Sequence, residues 1–256
     1  MLDHFRQAKA AEIERLIALE DQGLMPAPFQ GQRPDFLRAL WENAPGAVIA
    51  EYKRASPSRG EINMALSPEE VARAYAEAGA ACLSVLTEEN HFQGSLDFLE
   101  RMAPVGLPML RKDFILHPVQ VIQTAATRAS ALLLIARMSS REELREMLGL
   151  ASAFELACVV EVFDEADLEK VQSLDPEIVQ VNSRDLDTLT TDLAAAERLA
   201  RHKPDGQVWI AASGIARPDD LRRMADAGYD AVLVGTSLMK DGDPGAALRR
   251  LTGRQG

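Results

Sequence analysis

Short apolar runs recur along the chain at near-regular intervals, and a longer amphipathic stretch follows each one. The runs cover 47–52, 82–86, 108–111, 131–136, 157–162, 178–181, 208–212 and 231–234. They are almost continuous in Val, Leu, Ile and Ala, the signature of strands buried on both faces. Their spacing, roughly 20 to 30 residues, is that of repeated strand–helix units. The stretches between them carry helix starts. Ser67-Pro68-Glu69-Glu70 combines an N-cap, a proline in the first turn and a capping-box carboxylate. Ser140 and Glu143 repeat the Ser-x-x-Glu pattern, and Asp164 and Arg217-Pro218-Asp219-Asp220 open two further helices. Gly79, Gly149 and Gly228 are expected to stop helices.

Ahead of the first run, Leu2, Phe5, Ile13, Leu16 and Ile17 predict an amphipathic helix over 2–19. Gly23 and the Pro/Gln/Gly-rich stretch 26–34 break it, and a short helical segment over 36–41 leads into the first strand. About eight strand–helix units predict an α/β fold, a (β/α)8 TIM barrel. It would form a single domain over 1–256, of which 1–46 is an N-terminal helical extension. A doubly wound open sheet is the alternative, but no GxGxxG or P-loop motif supports it.

Composition narrows this picture. With 256 residues and 47% hydrophobic content, one large core is affordable. A formal charge of −11 and a pI near 4.9 argue against nucleic acid or an anionic membrane as partner. They leave room for a small anionic substrate held by a local cluster of Lys and Arg. Cys82 and Cys158 each sit inside an apolar run and read as buried, reduced core residues. The N-terminal residues lack the apolar core of a signal peptide, and no apolar run is long enough to span a bilayer. A cytoplasmic enzyme is the expectation.

In a barrel of this kind the active site lies at the C-terminal ends of the strands. The first run ends in Glu51 and Lys53, two residues apart and so on one face of the strand. Charge at an apolar strand end is costly unless it has a use, although a strand-end ion pair before a surface loop is the plainer alternative. The third run ends in Arg111-Lys112-Asp113, the fifth carries Glu161 between valines, and the sixth ends in Asn182-Ser183-Arg184. Lysines in a crowded, partly desolvated site make useful proton donors, and a glutamate in apolar surroundings accepts or returns protons. Arg184 suits a carboxylate.

Ser213-Gly214 after the seventh run and Gly235-Thr236 after the eighth place glycines where backbone approaches a ligand closely, at the usual phosphate site of the fold. Ser56, in the loop after the first strand, adds a hydroxyl. Tight turns alone are the alternative reading. No metal spacing is present, because His4, His91, His117 and His202 are scattered.

Six segments together resemble the indole-3-glycerol-phosphate synthase family. They are Ile49-Ala-Glu-Tyr-Lys-Arg-Ala-Ser-Pro-Ser-Arg-Gly60, Leu83-Ser-Val-Leu-Thr-Glu88, Leu110-Arg-Lys-Asp-Phe-Ile115, Val160-Glu-Val162, Val181-Asn-Ser-Arg-Asp-Leu186 and Ser213-Gly-Ile215. The resemblance spans nearly the whole chain. It implies a (β/α)8 barrel of tryptophan biosynthesis that closes the indole ring of 1-(2-carboxyphenylamino)-1-deoxyribulose 5-phosphate, releasing carbon dioxide and water. It further implies that Lys112 is the general acid at the ribulose carbonyl, that Glu161 and Lys53 handle protons in the dehydration, and that Glu51 supports them. Which lysine acts at which step stays open.

By the same resemblance Asn182 and Arg184 position sugar hydroxyls and the anthranilate carboxylate. Ser56, Ser213, Gly214, Leu233, Gly235 and Thr236 belong to the substrate and phosphate site. No cofactor is implied, and a monomer is ordinary for the family.

Three positions depart from the family pattern. Ala212 stands where a glutamate usually precedes Ser-Gly, Ser183 where asparagine is common, and His117 where aspartate is common. Ser183 is expected to point away from the mouth and His117 to begin a helix. Ala212 is expected to slow the reaction, since a carboxylate facing the mouth is lost. Two other readings remain: a catalytically weakened phospholigand-binding barrel, for which Ala212 speaks, and another phosphoribosyl-sugar barrel enzyme such as an isomerase, which has no need of Glu51-x-Lys53-x-x-Ser56-Pro57.

Overall fold

A computed structural model describes residues 2–185, 188 and 190–254, with side chains from His4 onward. Leu186 of the fifth resembling segment and the side chain of Leu2 lie outside the described residues. Eight parallel strands close into a barrel: β1 (Ala47–Tyr52), β2 (Cys82–Leu86), β3 (Met109–Lys112), β4 (Ala131–Ile135), β5 (Ala157–Val162), β6 (Ile178–Asn182), β7 (Val208–Ala212) and β8 (Ala231–Val234). Each strand pairs with its neighbours in chain order, and β8 pairs back to β1 through Ala47↔Ala231 to Ala50↔Val234. The closed, all-parallel arrangement excludes the doubly wound sheet.

Two helices, α1 (Leu2–Asp21) and α2 (Phe36–Asn43), precede β1. Around the barrel run α3 (Pro68–Glu77), α4 (Asp97–Met102), α5 (Pro118–Ala125), α6 (Arg141–Ala153), α7 (Glu165–Gln172), α8 (Leu193–Ala200), α9 (Pro218–Asp226), α10 (Thr236–Met239) and α11 (Pro244–Thr252). The start signals in the sequence act as expected. Ser67 and Ser140 form capping boxes with Glu70 and Glu143, and Asp164 caps α7. His117 takes the N-cap of α5, its Nδ1 accepting from the Val119 amide at 3.2 Å.

Gly79 and Gly228 lie just past helix ends with φ of 83° and 103°, a backbone region open to glycine. Gly149 does not stop its helix. It lies inside α6, which continues because Met147 and Ala151 on its inner face are fully buried. That burial outweighs the cost of a helical glycine, about 1 kcal/mol.

Two hydrophobic clusters follow from strand alternation. One fills the space between strands and helices, with Val48, Ala50, Val160 and Val179. The other runs up the barrel interior from Phe36 and Leu40 of α2 through Ile49, Leu110, Val159 and Ile210 to Phe5 of α1. Cys82 belongs to the interior cluster, whereas Cys158 is only half-buried on the outer face, a departure from the expected core position. Both are free thiols, and burial pushes that of Cys158 up to about 12.

Candidate active site

Above the interior cluster the inward-facing residues turn polar. Glu51 on β1, Ser84 on β2, Lys112 on β3, Glu161 on β5 and Gln180 on β6 follow apolar residues two positions earlier on the same face, and Asn182 follows Gln180 on that face. β3 and β6 each extend one residue further than the apolar runs indicate, so Lys112 and Asn182 are strand residues with fixed direction. Arg111, immediately before Lys112 in sequence, points the other way and is buried, donating to Gln120 O, Thr124 Oγ1 and Asp113 Oδ2.

A cavity of about 410 Å³ opens at this end of the barrel. Every candidate residue from the sequence lines it: Lys112, Glu161, Lys53 and Glu51, together with Asn182, Arg184, Ser56, Ser213, Gly214, Leu233, Gly235 and Thr236. Ser183 does not line it, in line with its outward direction, and its side chain is buried. Five cationic side chains (Lys53, Arg59, Lys112, Arg184 and Lys240) face two carboxylates in the lining, so an acidic protein presents a cationic mouth.

The charges form two pairs. Lys53 Nζ is 3.6 Å from Glu51 Oε1, and Lys112 Nζ is 3.8 Å from Glu161 Oε2. Each glutamate is also held by a neutral donor that is its register partner on the next strand. Ser84 Oγ donates to Glu51 Oε2 at 3.3 Å, and Gln180 Nε2 donates to Glu161 Oε2. Burial pulls the Lys53 ammonium below an ordinary lysine, with Lys112 and Arg184 adding to the effect and Glu51 opposing it. Burial likewise lowers Arg184, and the Arg59 guanidinium beside it works in the same direction.

Gly235 makes room for this arrangement, because a Cβ there would collide with Glu51 Oε1. The loop after β7 is tied to α10, which follows β8, by Ser237 Oγ donating to Ile215 O at 3.1 Å. Ser213 and Gly214 both adopt left-handed backbone, with φ of 71° and 79°. A hairpin of Ala55–Ser56 and Gly60–Glu61 carries Ser56 over the mouth.

An aromatic wall completes the cavity. Phe5 from α1 stacks on Phe114 from the loop after β3, ring centres 4.2 Å apart, and Phe92 from the loop after β2 stands 6.4 Å from Phe5. Lys53 Nζ lies 5.2 Å from the Phe92 ring centre. Sequence reasoning did not find these rings, nor Ser84, Gln180 and Arg59. A polar residue at 180 inside an apolar run, two positions before Asn182, was the available signal for Gln180. Nothing local marks Phe5 as more than the apolar stripe of a helix.

α1 is anchored beside the site. Lys9 is buried and pairs with Asp113 Oδ1 and Glu12 Oε2, each at 2.6 Å, and Thr87 Oγ1 donates to Asp113 Oδ2 at 2.6 Å. Burial alone would raise the Asp113 carboxyl, but Arg111 and Lys9 beside it hold it below the usual range. This network fixes the residue next to Lys112.

A parallel barrel with two lysine–glutamate pairs in a cationic, aromatic-walled mouth defines an acid–base enzyme for a small anionic substrate. Solved structures share the fold. An N-acetylmannosamine-6-phosphate 2-epimerase from Clostridium perfringens superposes with a TM-score of 0.63 at 14% identity over 88% of this chain and 98% of its own. A 3-hexulose-6-phosphate synthase from Salmonella typhimurium gives 0.63 at 12% identity over 81% and 97%.

The chain belongs to the indole-3-glycerol phosphate synthase family, whose model matches residues 2–251. Relatives of that name are 46% identical in a Nocardioides species, over 82% of this chain and 81% of theirs, and 38% identical in Magnetococcus marinus, over 100% and 98%. It is a carboxy-lyase of tryptophan biosynthesis that closes the indole ring. Among the described residues no helix is long and apolar enough to cross a membrane.

Proposed function

We propose that the substrate is 1-(2-carboxyphenylamino)-1-deoxyribulose 5-phosphate and that the two lysine–glutamate pairs divide the proton transfers. Lys112 protonates the ribulose carbonyl oxygen as the ring carbon bearing the carboxylate attacks the carbonyl carbon. Loss of carbon dioxide restores the aromatic ring. Lys53 then protonates the resulting hydroxyl, which leaves as water, while Glu161 takes the proton from the neighbouring carbon. Two protons are given and one is taken, which matches the single proton consumed when a carboxylate leaves as carbon dioxide. Glu161 returns its proton to Lys112 across their 3.8 Å separation, and solvent reloads Lys53. Glu51 keeps Lys53 in its ammonium form.

Binding follows the same geometry. Phe5, Phe92 and Phe114 face the anthranilate ring, Arg184 its carboxylate and Asn182 the sugar hydroxyls. Ser56, Ser213, Gly214, Gly235 and Thr236 take the phosphate, with Leu233 beneath them. Residues 1–46 work as an extension of one barrel domain, since α1 supplies a wall of the cavity. The enzyme acts as a cytoplasmic monomer and needs no cofactor.

The observation that carries this reading is the convergence of both pairs on one cavity. Ala212, whose methyl replaces a carboxylate at the mouth, favours the second reading of a weakened phospholigand-binding barrel; both intact pairs oppose it. Role assignments are tested by kinetic dissection. Glu161→Gln should lower kcat with KM held, and Arg184→Ala should raise KM by at least about tenfold with a smaller effect on kcat. The reverse pattern would overturn the assignment.

A further inference from the structure

Gln180 lies across from Glu161 in the β5–β6 register and is fully buried at the base of the cavity. A carboxamide in such a place is costly unless its polar atoms are used. Its Nε2 donates to Glu161 Oε2, the oxygen that also faces Lys112 Nζ. Its Oε1 has no hydrogen-bond partner among the described residues.

That half-used state matters because of what a carboxamide is. It carries donors at one end and an acceptor at the other, on a single rotatable bond. With Nε2 toward Glu161 it suits a carboxylate. Turned over, it offers Oε1 to a carboxylic acid. No hydrogen bond holds Oε1 elsewhere, so the turn sacrifices none of that atom's contacts. The other pair has the same construction. Ser84, register partner of Glu51, presents a hydroxyl, which also donates and accepts. On the far side of β6 the register partner of Gln180 on β7 is Ile210, an apolar residue that brings no charge to compete for the amide.

We propose that Gln180 is a positioning residue for Glu161, holding it for proton transfer in both protonation states. It donates to the carboxylate and, after rotation of its amide, accepts from the acid. This rests on the reading that Glu161 exchanges a proton with the substrate.

Gln180→Met keeps the length of the side chain and removes both functions. Kcat should fall roughly tenfold or more, since small misplacements of a reacting group cost up to about a hundredfold, with KM changed less than about twofold. The acid limb of the kcat–pH profile should move to higher pH, because a carboxylate that loses a donor takes up a proton more readily. Gln180→Glu, which keeps the shape but sets a like charge against Glu161, should move that limb further in the same direction. In a Glu161→Gln background, Gln180→Met should add little.

A native kcat and acid limb in Gln180→Met, or an equal loss with and without Glu161, would overturn the proposal. If Gln180→Met does not fold, a native profile in Gln180→Glu overturns it instead. Native turnover in Glu161→Gln alone would instead remove the underlying role of Glu161.

Discussion

Lys112 Nζ stands 3.8 Å from Glu161 Oε2, although their strands are not neighbours. β4 runs between them, and the register partner of Glu161 on that strand is Ile135. An apolar residue at that level leaves the two charges to meet above it, with Gln180 as the next polar neighbour. Glu161 is thereby oriented through one oxygen, Oε2, which faces both a cation and a neutral amide. Glu51 is held at both oxygens, Oε1 facing Lys53 and Oε2 accepting from Ser84.

The Glu51 charge is predicted to set the alkaline side of the activity profile. Lys53 acts as an acid only while protonated, and burial lowers its value from that of an ordinary lysine, about 10.4. Activity should therefore fall, as pH rises, at a lower pH than a free lysine would dictate. Glu51 opposes the lowering, so Glu51→Gln should move the alkaline limb to lower pH still. A limb that stays put or moves upward in kcat measured against pH would exclude Lys53 as the titrating acid.

Gly235 serves Glu51 directly. A methyl group there collides with Glu51 Oε1, so Gly235→Ala should displace the carboxylate and loosen its contact with Lys53. The expected result is a drop in kcat of roughly tenfold to a hundredfold with the fold retained. A variant with native kcat would show that Glu51 need not hold its place.

Ala212 is buried in the interior cluster but also lines the cavity, so a glutamate there has the cavity to extend into. Ala212→Glu is expected to raise kcat by up to about tenfold, the effect of recovering roughly 1.4 kcal/mol in the transition state. An unchanged or lower kcat would mean that the chain has adapted fully to alanine.

The Lys9–Asp113 pair is predicted to tie stability to acidity. Asp113 is held below its ordinary value, so its contribution is complete above about pH 4 and is lost as pH falls through the lowered value. Lys9→Met removes one of its two cations. Unfolding free energy should drop by about 1–3 kcal/mol at neutral pH, with Arg111 still compensating. Acid destabilisation should also begin at higher pH than in the native chain. Denaturant titrations across pH test both effects, and no change in either would remove Asp113 from the account.

Much of this was legible along the chain because barrel strands are buried on both faces and leave continuous apolar runs. The place where each run turns polar marks its catalytic end, and Glu51, Lys53 and Glu161 were visible there. Direction was harder to read. Arg111 and Lys112 are adjacent and equally cationic, yet one is locked against α5 and the other faces the cavity. Strand register decides this, and register is set by pairing between distant segments. Phe5 was out of reach for the same reason, since its partner Phe114 lies on a different element. Gly149 misled because packing of α6 overrides local propensity.

The most direct test is a fluorescence assay of indole-3-glycerol phosphate formation from 1-(2-carboxyphenylamino)-1-deoxyribulose 5-phosphate, run on the native chain and on Lys112→Ala. The native chain should turn the substrate over, and the variant should bind it with kcat lowered by about a hundredfold to ten-thousandfold. Native binding without turnover, or a Lys112→Ala variant that keeps native kcat, would contradict the account.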